Sequence, residues 1–421
     1  MIDEAAGEPS EPCSGDGTEI AETAVFCFDV VVVGGCGHVG LPLGIALADR
    51  GLRTVVYDIN EASVAMVNSA RMPFVEHGAD TMLVKAIDNG TLRASSDPSF
   101  IGRAEHVVVV IGTPVDEHLN PDARAVPNAV ASLGPHLRDG QLLVLRSTVF
   151  PGVTALVERE LERAGLSIDV AFCPERIAEG KAMTELFTLP QIVSGRSDAV
   201  RARADKLFSK LTQTMVHLEP EEAELAKLFT NTWRYIKFAA SNQLFMMAND
   251  FGLDYERIRA ALAFDYPRAA DIPRAGFAAG PCLFKDTMQL AAFNDNKFLL
   301  GHSAMLVNEG MPLYVVSQIE KQFPNIADLT VGILGMAFKA ESDDIRSSLS
   351  YKLRRILRFK ARHVVCSDPY VVVDPDLRNH DEVITQSDIL VIGAPHDLYR
   401  DLVTSVPVID IWGITGRGVR V

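Results

Sequence analysis

Hydrophobic runs and polar turns alternate along the first half of the chain in the way that a parallel α/β sheet requires. The β-branched run at 26–33 predicts a strand buried on both faces of such a sheet, and an apolar helical pattern follows at 41–50. Further buried runs predict strands at 54–57, 106–111, 141–146 and 168–173. Strands that alternate with helical segments favour a doubly wound fold.

The second half of the chain begins with a helical pattern. The range 221–249 is nearly free of helix breakers and apolar on more than one face, so it predicts a long helix that joins two domains or packs against a second subunit. Another helix is predicted from 287 to the region of 308. A second α/β unit follows, with strands predicted at 329–334, 363–366, 388–393 and 406–411 and a helix at 348–360.

The first predicted strand runs into a glycine-rich turn typical of dinucleotide binding. The turn reads GGCGHVG and contains the GxGxxG spacing at Gly35, Gly37 and Gly40, between a predicted strand and a predicted helix. The first glycine makes the tight turn, the second admits a pyrophosphate, and the third lets helix and strand pack closely. We expect His38 and Val39, which lie inside this turn, to contact the cofactor as well.

The next predicted strand indicates which cofactor is bound, because it ends in Asp58, eighteen residues past Gly40. A carboxylate at this position hydrogen-bonds the adenine ribose and repels a 2′-phosphate. We therefore expect NAD rather than NADP.

These elements predict an α/β fold made of two Rossmann-like, doubly wound parallel-sheet domains joined by a long central helix. We expect a NAD-binding Rossmann domain at 25–212, a central helical linker and dimerisation domain at 213–315, and a second Rossmann-like domain at 316–421. Residues 1–24 carry seven acidic side chains and no Lys or Arg, and we expect this tail to be disordered.

Polar turns end two further predicted strands, and in a doubly wound sheet such turns line the cofactor crevice. Thr113, Pro114, Ser147 and Thr148 are therefore candidate cofactor contacts. Thr148 could equally cap the helix predicted to begin near Pro151, and the two roles are compatible.

The strand predicted at 168–173 is followed by CPER and then AEGK. Acidic and basic residues close together in a loop at a strand end more often belong to a functional site than to an ordinary surface turn, which is the alternative. Glu175, Arg176 and Glu179 are the candidates in this loop.

A loop of small residues carries the candidate nucleophile. It reads GFAAGPCLFKD at 276–286, and its glycines and alanines let the backbone approach a ligand closely. Lys285 can favour the thiolate of Cys282, which is the nucleophilic form, whereas a buried structural cysteine is the ordinary alternative. Lys227 and Asn231 share one face of the long predicted helix. A solvated lysine is the ordinary interpretation there, but the flanks are apolar, and a lysine in a cleft suits a developing oxyanion.

Composition and charge narrow the class of protein. The chain has 421 residues, 48% apolar and 23% charged, as in soluble enzymes of two or three domains. No apolar run has the length of a membrane span and no signal peptide is visible, so we expect no membrane partner. Six cysteines without CxxC spacing argue against a zinc site or a disulfide framework, and we expect no metal and a reducing cytoplasm. Without the tail, the formal charge changes from −15 to −8, with no basic stripe for nucleic acid.

Together, these motifs resemble the nucleotide-sugar 6-dehydrogenases, the family of UDP-glucose and GDP-mannose dehydrogenases, over about residues 26–415. The resemblance also rests on Leu41-Pro42 after the glycine turn, and on GMAFK followed by Asp344 and Arg346. Charged loops after a strand, as here, commonly hold phosphates.

The resemblance implies the chemistry. Such an enzyme oxidises the C6 alcohol of a sugar to a carboxylate with two NAD, through aldehyde and thioester stages. Cys282 then attacks the aldehyde, and Lys227 and Asn231 hold the C6 oxygen as negative charge develops. Asp286 and Thr148 position a water that serves as base and later as nucleophile.

The resemblance also implies binding residues. Glu175 is a candidate partner in thioester hydrolysis and, with Arg176, a candidate sugar contact. Glu179, Lys285 and Arg346 are candidate cofactor contacts. The further residues expected to grip the nucleotide sugar are Gly276, Phe277, Gly280, Phe338 and Lys339.

Assembly is implied in the same way. Arg268 matches an arginine that reaches into the sugar site of the neighbouring subunit. We therefore expect a homodimer through the long helix, or a dimer of such dimers.

The motifs disagree on which sugar the substrate carries. The segments 173–176 and 231–234 resemble the branch that acts on UDP-N-acetylhexosamines, whereas the loop from Cys282 to Asp286 resembles the UDP-glucose branch. We expect UDP-glucose first and dTDP-glucose next, with UDP-N-acetylmannosamine or UDP-N-acetylglucosamine as the alternative.

Two competing functions use the same Rossmann domain. A β-hydroxyacid-type dehydrogenase shares the Lys-x-x-x-Asn helix, but it needs neither Cys282 nor a second α/β domain. A non-catalytic NAD-binding protein is the other, and the loss of Cys282, Lys227 or Asp286 would have favoured it. The number of NADH formed per sugar distinguishes the three functions, at two, one and none.

Overall fold

A computed structural model describes residues 26–113, 116, 122–416 and 421. The predicted acidic tail and Pro114 lie outside the described residues. The chain forms two compact units, which we call unit 1 and unit 2. Unit 1 comprises the described residues of 1–112, 124–147 and 152–223, and unit 2 those of 113–123, 148–151 and 224–421. The chain finally passes from unit 1 into unit 2 within one long helix. The predicted long central helix is thereby confirmed.

Unit 1 is built on an eight-stranded sheet with the order β3-β2-β1-β4-β5-β6-β7-β8. The strands are β1 Phe28–Val33, β2 Thr54–Tyr57, β3 Leu92–Ser95, β4 Ala104–Val109, β5 Leu142–Leu145, β6 Asp169–Phe172, β7 Gln191–Gly195 and β8 Met215–Leu218. Strands β1 to β6 are parallel, in the order of a dinucleotide-binding fold. The predicted doubly wound parallel-sheet fold is confirmed, and near the β8 edge of the sheet β7 is antiparallel to β6.

Helices cover the sheet of unit 1. They are α1 Gly40–Asp49, α2 Glu61–Asn68, α3 Ala79–Asp88, α4 Ala125–Leu133, α5 Val153–Arg163, α6 Ala182–Thr188 and α7 Asp198–Phe208, with short 3₁₀ helices at Pro98–Arg103 and Gly134–His136. Val30, Val31 and Val32 in β1 are completely buried, because a central parallel strand packs helices on both faces.

Unit 2 combines helices with a four-stranded parallel sheet of order β10-β9-β11-β12. Its helices are α8 Pro220–Asp250, which begins in unit 1, α9 Tyr255–Ala263, α10 Leu283–Phe293, α11 Leu299–Gln322, α12 Leu349–Leu357 and α13 His380–Gln386. Its strands are β9 Thr330–Leu334, β10 His363–Ser367, β11 Ile389–Ile392 and β12 Val408–Ile409, and 3₁₀ helices lie at Ile326–Asp328 and Asp397–Tyr399. The predicted second Rossmann-like unit is therefore confirmed, although its sheet has half as many strands as the first.

The single helix predicted from 287 to about 308 is wrong, because the structure has two helices there, α10 and α11. Asp295 and Asn296 in the connection have positive φ angles of 51° and 57°. Asp and Asn tolerate this left-handed conformation better than other residues with a side chain, so the chain can turn there.

Two observations bear on where the protein works. Among the described residues, none of the helices combines the length and the hydrophobicity that a bilayer crossing requires. Cys36, Cys173, Cys282 and Cys366 are free, whereas Cys27 is disulfide-bonded. A cytoplasmic location stays a prediction.

Candidate active site

The glycine turn of unit 1 is shaped by close backbone contacts on two of its three motif glycines. A Cβ on Gly35 would lie 2.5 Å from the carbonyl oxygen of Val32, and one on Gly40 would lie 2.4 Å from that of Gly34. A Cβ on Gly37 would meet no atom nearer than 3.6 Å. Gly35 and Gly40 are therefore needed for packing, whereas the space beside Gly37 fits a pyrophosphate at the start of α1.

Asp58 follows β2, and its carboxylate is held against the glycine turn. Its Oδ2 accepts a hydrogen bond from the Cys36 N–H at 3.0 Å, and its Oδ1 accepts one from the Asn60 N–H at 3.0 Å. An ionised carboxylate can accept about four hydrogen bonds, so capacity remains for ribose hydroxyls.

Two more predicted cofactor contacts lie together in unit 1. The His38 ring stacks on Phe74 with 4.1 Å between centroids, and its Nδ1 is 3.6 Å from Oε1 of Glu179. Val39 lies at the N-cap of α1. The Ser147 hydroxyl accepts a hydrogen bond from the Ile111 N–H at 2.8 Å, so it ties the ends of β4 and β5 together.

Unit 2 brings the polar residues of α8 and α10 together. Lys227 and Asn231 are 9% and 5% exposed, and Asp286 is completely buried. Asn231 Nδ2 donates to Asp286 Oδ2 at 2.6 Å, and Lys285 Nζ lies 3.4 Å from Asp286 Oδ1. Lys285 also donates to Oγ1 of Thr113 at 2.9 Å. An amide donor and the Lys285 ammonium group thus accompany one buried carboxylate, and Lys227 precedes Asn231 by one turn on the same face of α8.

Cys282 lies at the N-cap of α10, four residues before Asp286 and so on the same helix face. Solvent reaches the residue, yet desolvation by the surrounding protein raises the pKa of its thiol, and the charge of Asp286 raises it further. Lys227, Lys285 and Arg346 lower this pKa, but by less. Lys285 thus acts in the predicted direction and favours the thiolate, but burial and a nearby carboxylate outweigh the lysines, so the pKa of the thiol is raised overall.

The glycines of the cysteine loop face aromatic rings. Gly276 has a φ of 149°, and a Cβ there would lie 2.2 Å from the Trp412 ring. Gly280 has a φ of 105°, and its Cβ would lie 2.7 Å from the Phe338 ring. Phe277 meets Trp412 edge-on at 6.2 Å between centroids. The small residues thus let the loop pack against rings of unit 2, a constraint that the sequence did not reveal.

Three of the remaining predicted residues of unit 2 contact partners of their own. Arg346 Nη2 lies 2.6 Å from Oδ2 of Asp344. Lys339 Nζ lies 5.5 Å from the centre of the Phe338 ring. Arg268 is exposed, and its Nε donates to the Tyr266 hydroxyl at 2.7 Å. Thr148 is partly buried in the turn after β5.

Comparison with known proteins decides the family. Models of the NAD binding domain, the central domain and the UDP binding domain of one family match residues 29–212, 221–309 and 332–417. The chain belongs to the UDP-glucose/GDP-mannose dehydrogenase family. The predicted family and the predicted NAD cofactor are thereby confirmed, and the second α/β unit belongs to the part of the family that binds UDP.

Proteins similar to this chain are named after different sugar substrates. An NDP-N-acetyl-D-galactosaminuronic acid dehydrogenase of Ralstonia solanacearum is 27% identical over 90% of this chain and 93% of its own length. A UDP-N-acetyl-D-mannosamine dehydrogenase of Pyrococcus horikoshii is 28% identical over 88% and 90%. The structure of a UDP-glucose dehydrogenase from Pyrobaculum islandicum has a TM-score of 0.85 and 25% identity, over 93% of this chain and 96% of that one.

Two buried charged residues, Arg146 and Glu76, were not predicted from the sequence. Arg146 directly follows β5 and forms an ion pair with Glu175. Glu76 lies before α3 and accepts hydrogen bonds from the loop that contains Glu179. The only local signal was the position of Arg146, directly after the apolar residues of β5, where a charge needs a partner. Glu76 gave no comparable signal.

Proposed function

We propose that the protein is a NAD-dependent 6-dehydrogenase of a nucleoside-diphosphate N-acetylhexosamine, with UDP-N-acetylmannosamine as the first candidate. The proposal reverses the order expected from sequence, which began with UDP-glucose. Its support is the naming of the relatives from Ralstonia and Pyrococcus, and the CPER segment at 173–176.

The observation that carries the reaction type is the cluster of Cys282, Lys227, Asn231 and Asp286 in unit 2. The overall reaction converts a CH₂OH group, two NAD⁺ and one water into a carboxylate, two NADH and three protons. NAD, when bound, supplies the acceptor for each hydride. The cluster must therefore provide a nucleophile, a hydrogen-bond donor that stabilises negative charge on the oxygen, and a group that transfers protons.

The first oxidation needs a donor for the C6 oxygen. As the alcohol loses its proton and a hydride, the oxygen carries negative charge that an ammonium group stabilises. Lys227 is the donor that we propose for this step, with the Asn231 amide beside it. Asp286 fixes the Asn231 amide through the 2.6 Å hydrogen bond, so the donor is oriented before the substrate arrives.

The second oxidation needs the thiol of Cys282. The thiolate adds to the aldehyde carbon to form a thiohemiacetal, which loses a hydride and becomes a thioester. Water then attacks the thioester carbon and the thiolate leaves, so that the carboxylate is formed. Among the described residues, Asp286 Oδ1 accepts no hydrogen bond, and the Lys285 ammonium group lies 3.4 Å from it. This oxygen can therefore hold the water that removes the thiol proton, with Thr148 of the same unit as a further proposed contact.

UDP-glucose is the second candidate substrate. It is favoured by the structural likeness to the Pyrobaculum UDP-glucose dehydrogenase and by the loop from Cys282 to Asp286. The two candidates differ in the group at C2 of the sugar, an acetamide or a hydroxyl.

Counting NADH per sugar over a panel of nucleotide sugars tests the proposal. The panel contains UDP-N-acetylmannosamine, UDP-N-acetylglucosamine, UDP-glucose and dTDP-glucose, each at limiting amount with excess NAD. We expect two NADH per molecule of an N-acetylhexosamine substrate and little turnover of the glucose compounds. Turnover of UDP-glucose alone would reverse the sugar assignment, and one NADH per sugar would reject the two-step reaction.

We also propose that the enzyme works as a homodimer through α8. Support comes from large apolar side chains that α8 leaves exposed in the single chain, namely Phe229, Trp233, Leu244 and Met247. Apolar area of this kind ordinarily marks an interface. Analytical ultracentrifugation at assay concentration should show a dimer, or a dimer of dimers, and a fully active monomer would contradict it.

A further inference from the structure

A segment outside the sequence motifs contacts two of the predicted cofactor-binding turns of unit 1, the glycine turn and the loop that contains Glu179. We call residues 72–78, which precede α3, the brace loop. Its Phe74 ring stacks on His38 of the glycine turn, at 4.1 Å between centroids and 33° between planes. Its Glu76 accepts a hydrogen bond from the Gly180 N–H at 2.7 Å through Oε2, and one from the Ala182 N–H at 2.9 Å through Oε1.

The brace loop, the loop that contains Glu179, and His38 are each in contact with the other two. The loop that Glu76 holds contains Glu179, directly before Gly180, and Oε1 of Glu179 lies 3.6 Å from Nδ1 of His38. His38 in turn stacks on Phe74, two residues before Glu76. A shift of the brace loop would therefore move both His38 and Glu179, because each of them is in contact with it or with its neighbour.

The brace loop is itself anchored in the core of unit 1. Met72 and Phe74 pack against the hydrophobic cluster that includes Leu83 of α3 and Leu186 of α6. Glu76 is 2% exposed, and each of its carboxylate oxygens accepts a backbone N–H. A buried carboxylate is retained only where such bonds compensate its desolvation, so the position of Glu76 is tightly defined.

We propose that the brace loop is a positioning element of the NAD site, in which Phe74 and Glu76 set the positions of His38 and Glu179 before the cofactor binds. Glu76 acts through other residues and does not itself contact the ligand, because its carboxylate is buried against the backbone N–H groups of Gly180 and Ala182. The inference concerns the cofactor site alone. Its failure would leave the sugar assignment untouched, and failure of the sugar assignment would leave it standing.

The test is a measurement of the dissociation constant of NAD by calorimetry, without any sugar present. Glu76→Gln keeps the size of the side chain but replaces one acceptor oxygen by an NH₂ group that faces an N–H donor. We expect the Kd of NAD to rise by about tenfold or more, since hydrogen bonds to charged groups are among the stronger ones. Phe74→Leu keeps the core filled but removes the ring under His38, and should raise the Kd by about twofold to tenfold.

Gln141→Met is the matched control. Gln141 is also completely buried and holds backbone through Nε2, which donates to the carbonyls of Ile101 in a 3₁₀ helix and Ala104 at the start of β4, at 2.8 and 2.7 Å. It precedes β5, at the amino ends of the parallel strands, whereas the glycine turn lies at their carboxyl ends. We expect Gln141→Met to lower the melting temperature without changing the Kd of NAD.

Two outcomes would overturn the proposal. In the first, Glu76→Gln lowers the melting temperature by as much as Gln141→Met does and leaves the Kd of NAD within about twofold of the wild type, which is the behaviour of a stabilising clamp only. In the second, Glu76→Gln does not fold and Phe74→Leu binds NAD as the wild type does.

Discussion

Arg146 and Glu175 form a buried ion pair in unit 1. The Arg146 Nε donates to Glu175 Oε2 at 2.9 Å, and the two side chains are 1% and 10% exposed. The other carboxylate oxygen accepts the N–H groups of the next two residues, at 2.7 and 2.9 Å. Arg146 Nη1 donates to Gln191 Oε1 at 3.0 Å. Glu175, the candidate partner in thioester hydrolysis, is thus held by charge-assisted hydrogen bonds.

Removing Arg146 should destabilise the fold strongly. Arg146→Met leaves the Glu175 charge buried without its cation, which costs about 3–5 kcal/mol in the free energy of unfolding. The double variant Arg146→Met/Glu175→Gln removes both charges and should recover much of that loss. Arg196→Met, which breaks exposed ion pairs with Glu158 and Glu221, is the control and should cost less than about 1 kcal/mol. Urea unfolding measures all three, and equal losses in Arg146→Met and Arg196→Met would refute the ion-pair argument.

Two glycines of the same turn should respond differently to alanine. Gly40→Ala places a Cβ 2.4 Å from the Gly34 carbonyl oxygen, so the melting temperature should fall. Gly37→Ala meets no atom nearer than 3.6 Å, so the fold should keep its stability, while the Kd of NAD rises because the methyl group occupies space for the pyrophosphate. Thermal melts and NAD calorimetry on the two variants separate packing from binding. NAD binding to Gly37→Ala as tight as to the wild type would contradict this placement of the pyrophosphate.

The enzyme should discriminate strongly against NADP. The Asp58 carboxylate, fixed beside the glycine turn, would repel a 2′-phosphate. Asp58→Asn keeps an oxygen that can accept the Cys36 N–H but removes the charge, so the ratio of kcat/KM for NAD to that for NADP should fall. Steady-state kinetics with both cofactors measures that ratio. Equal kcat/KM for both cofactors in the wild-type enzyme would show that Asp58 does not face the ribose.

Cys282→Ser and Lys227→Ala should slow different steps. A serine hydroxyl ionises far less readily than a thiol with an ordinary pKa of about 8.5, so Cys282→Ser should stall after at most one hydride, or trap an ester that water clears slowly. Lys227→Ala should slow the alcohol oxidation itself, by about 10²–10³-fold in kcat. Single-turnover NADH formation distinguishes the two. Two NADH per sugar from Cys282→Ser at close to the wild-type rate would reject the covalent mechanism.

The reactivity of Cys282 should increase with pH well into the alkaline range. Because desolvation and Asp286 raise the pKa of the thiol, the thiolate that reacts becomes abundant only above the usual pKa of a cysteine. Asp286→Asn removes a negative charge that raises the pKa of the thiol, so the pH profile of Cys282 reactivity should move to lower pH. Lys285→Ala removes a lowering charge and should move it to higher pH.

The rate of alkylation by iodoacetamide against pH reports this titration directly. The other free thiols among the described residues, Cys36, Cys173 and Cys366, are buried and should react slowly, so Cys282 should dominate their combined signal. A profile of Asp286→Asn that stays at the wild-type pH, or moves upward, would mean that Asp286 does not act on the thiol.

The architecture was largely determined by sequence patterns. Buried apolar runs predicted β1, β2, β4, β5 and β6, and the breaker-free range at 221–249 lies within α8, Pro220–Asp250. The GxGxxG turn was recognisable because its glycines are close together in sequence. Such patterns are readable because hydrophobic periodicity and turn chemistry act between residues a few positions apart.

The arrangement of the site was decided only by tertiary structure. The bond from Asn231 to Asp286 spans 55 positions, that from Arg146 to Glu175 spans 29, and that from Gly180 to Glu76 spans 104. Cys282 was identified from sequence, but its raised pKa depends on how deeply the folded chain desolvates it and on which charges surround it. Desolvation and Coulomb interaction depend on distance in space, and a local pattern of residues carries no record of that distance.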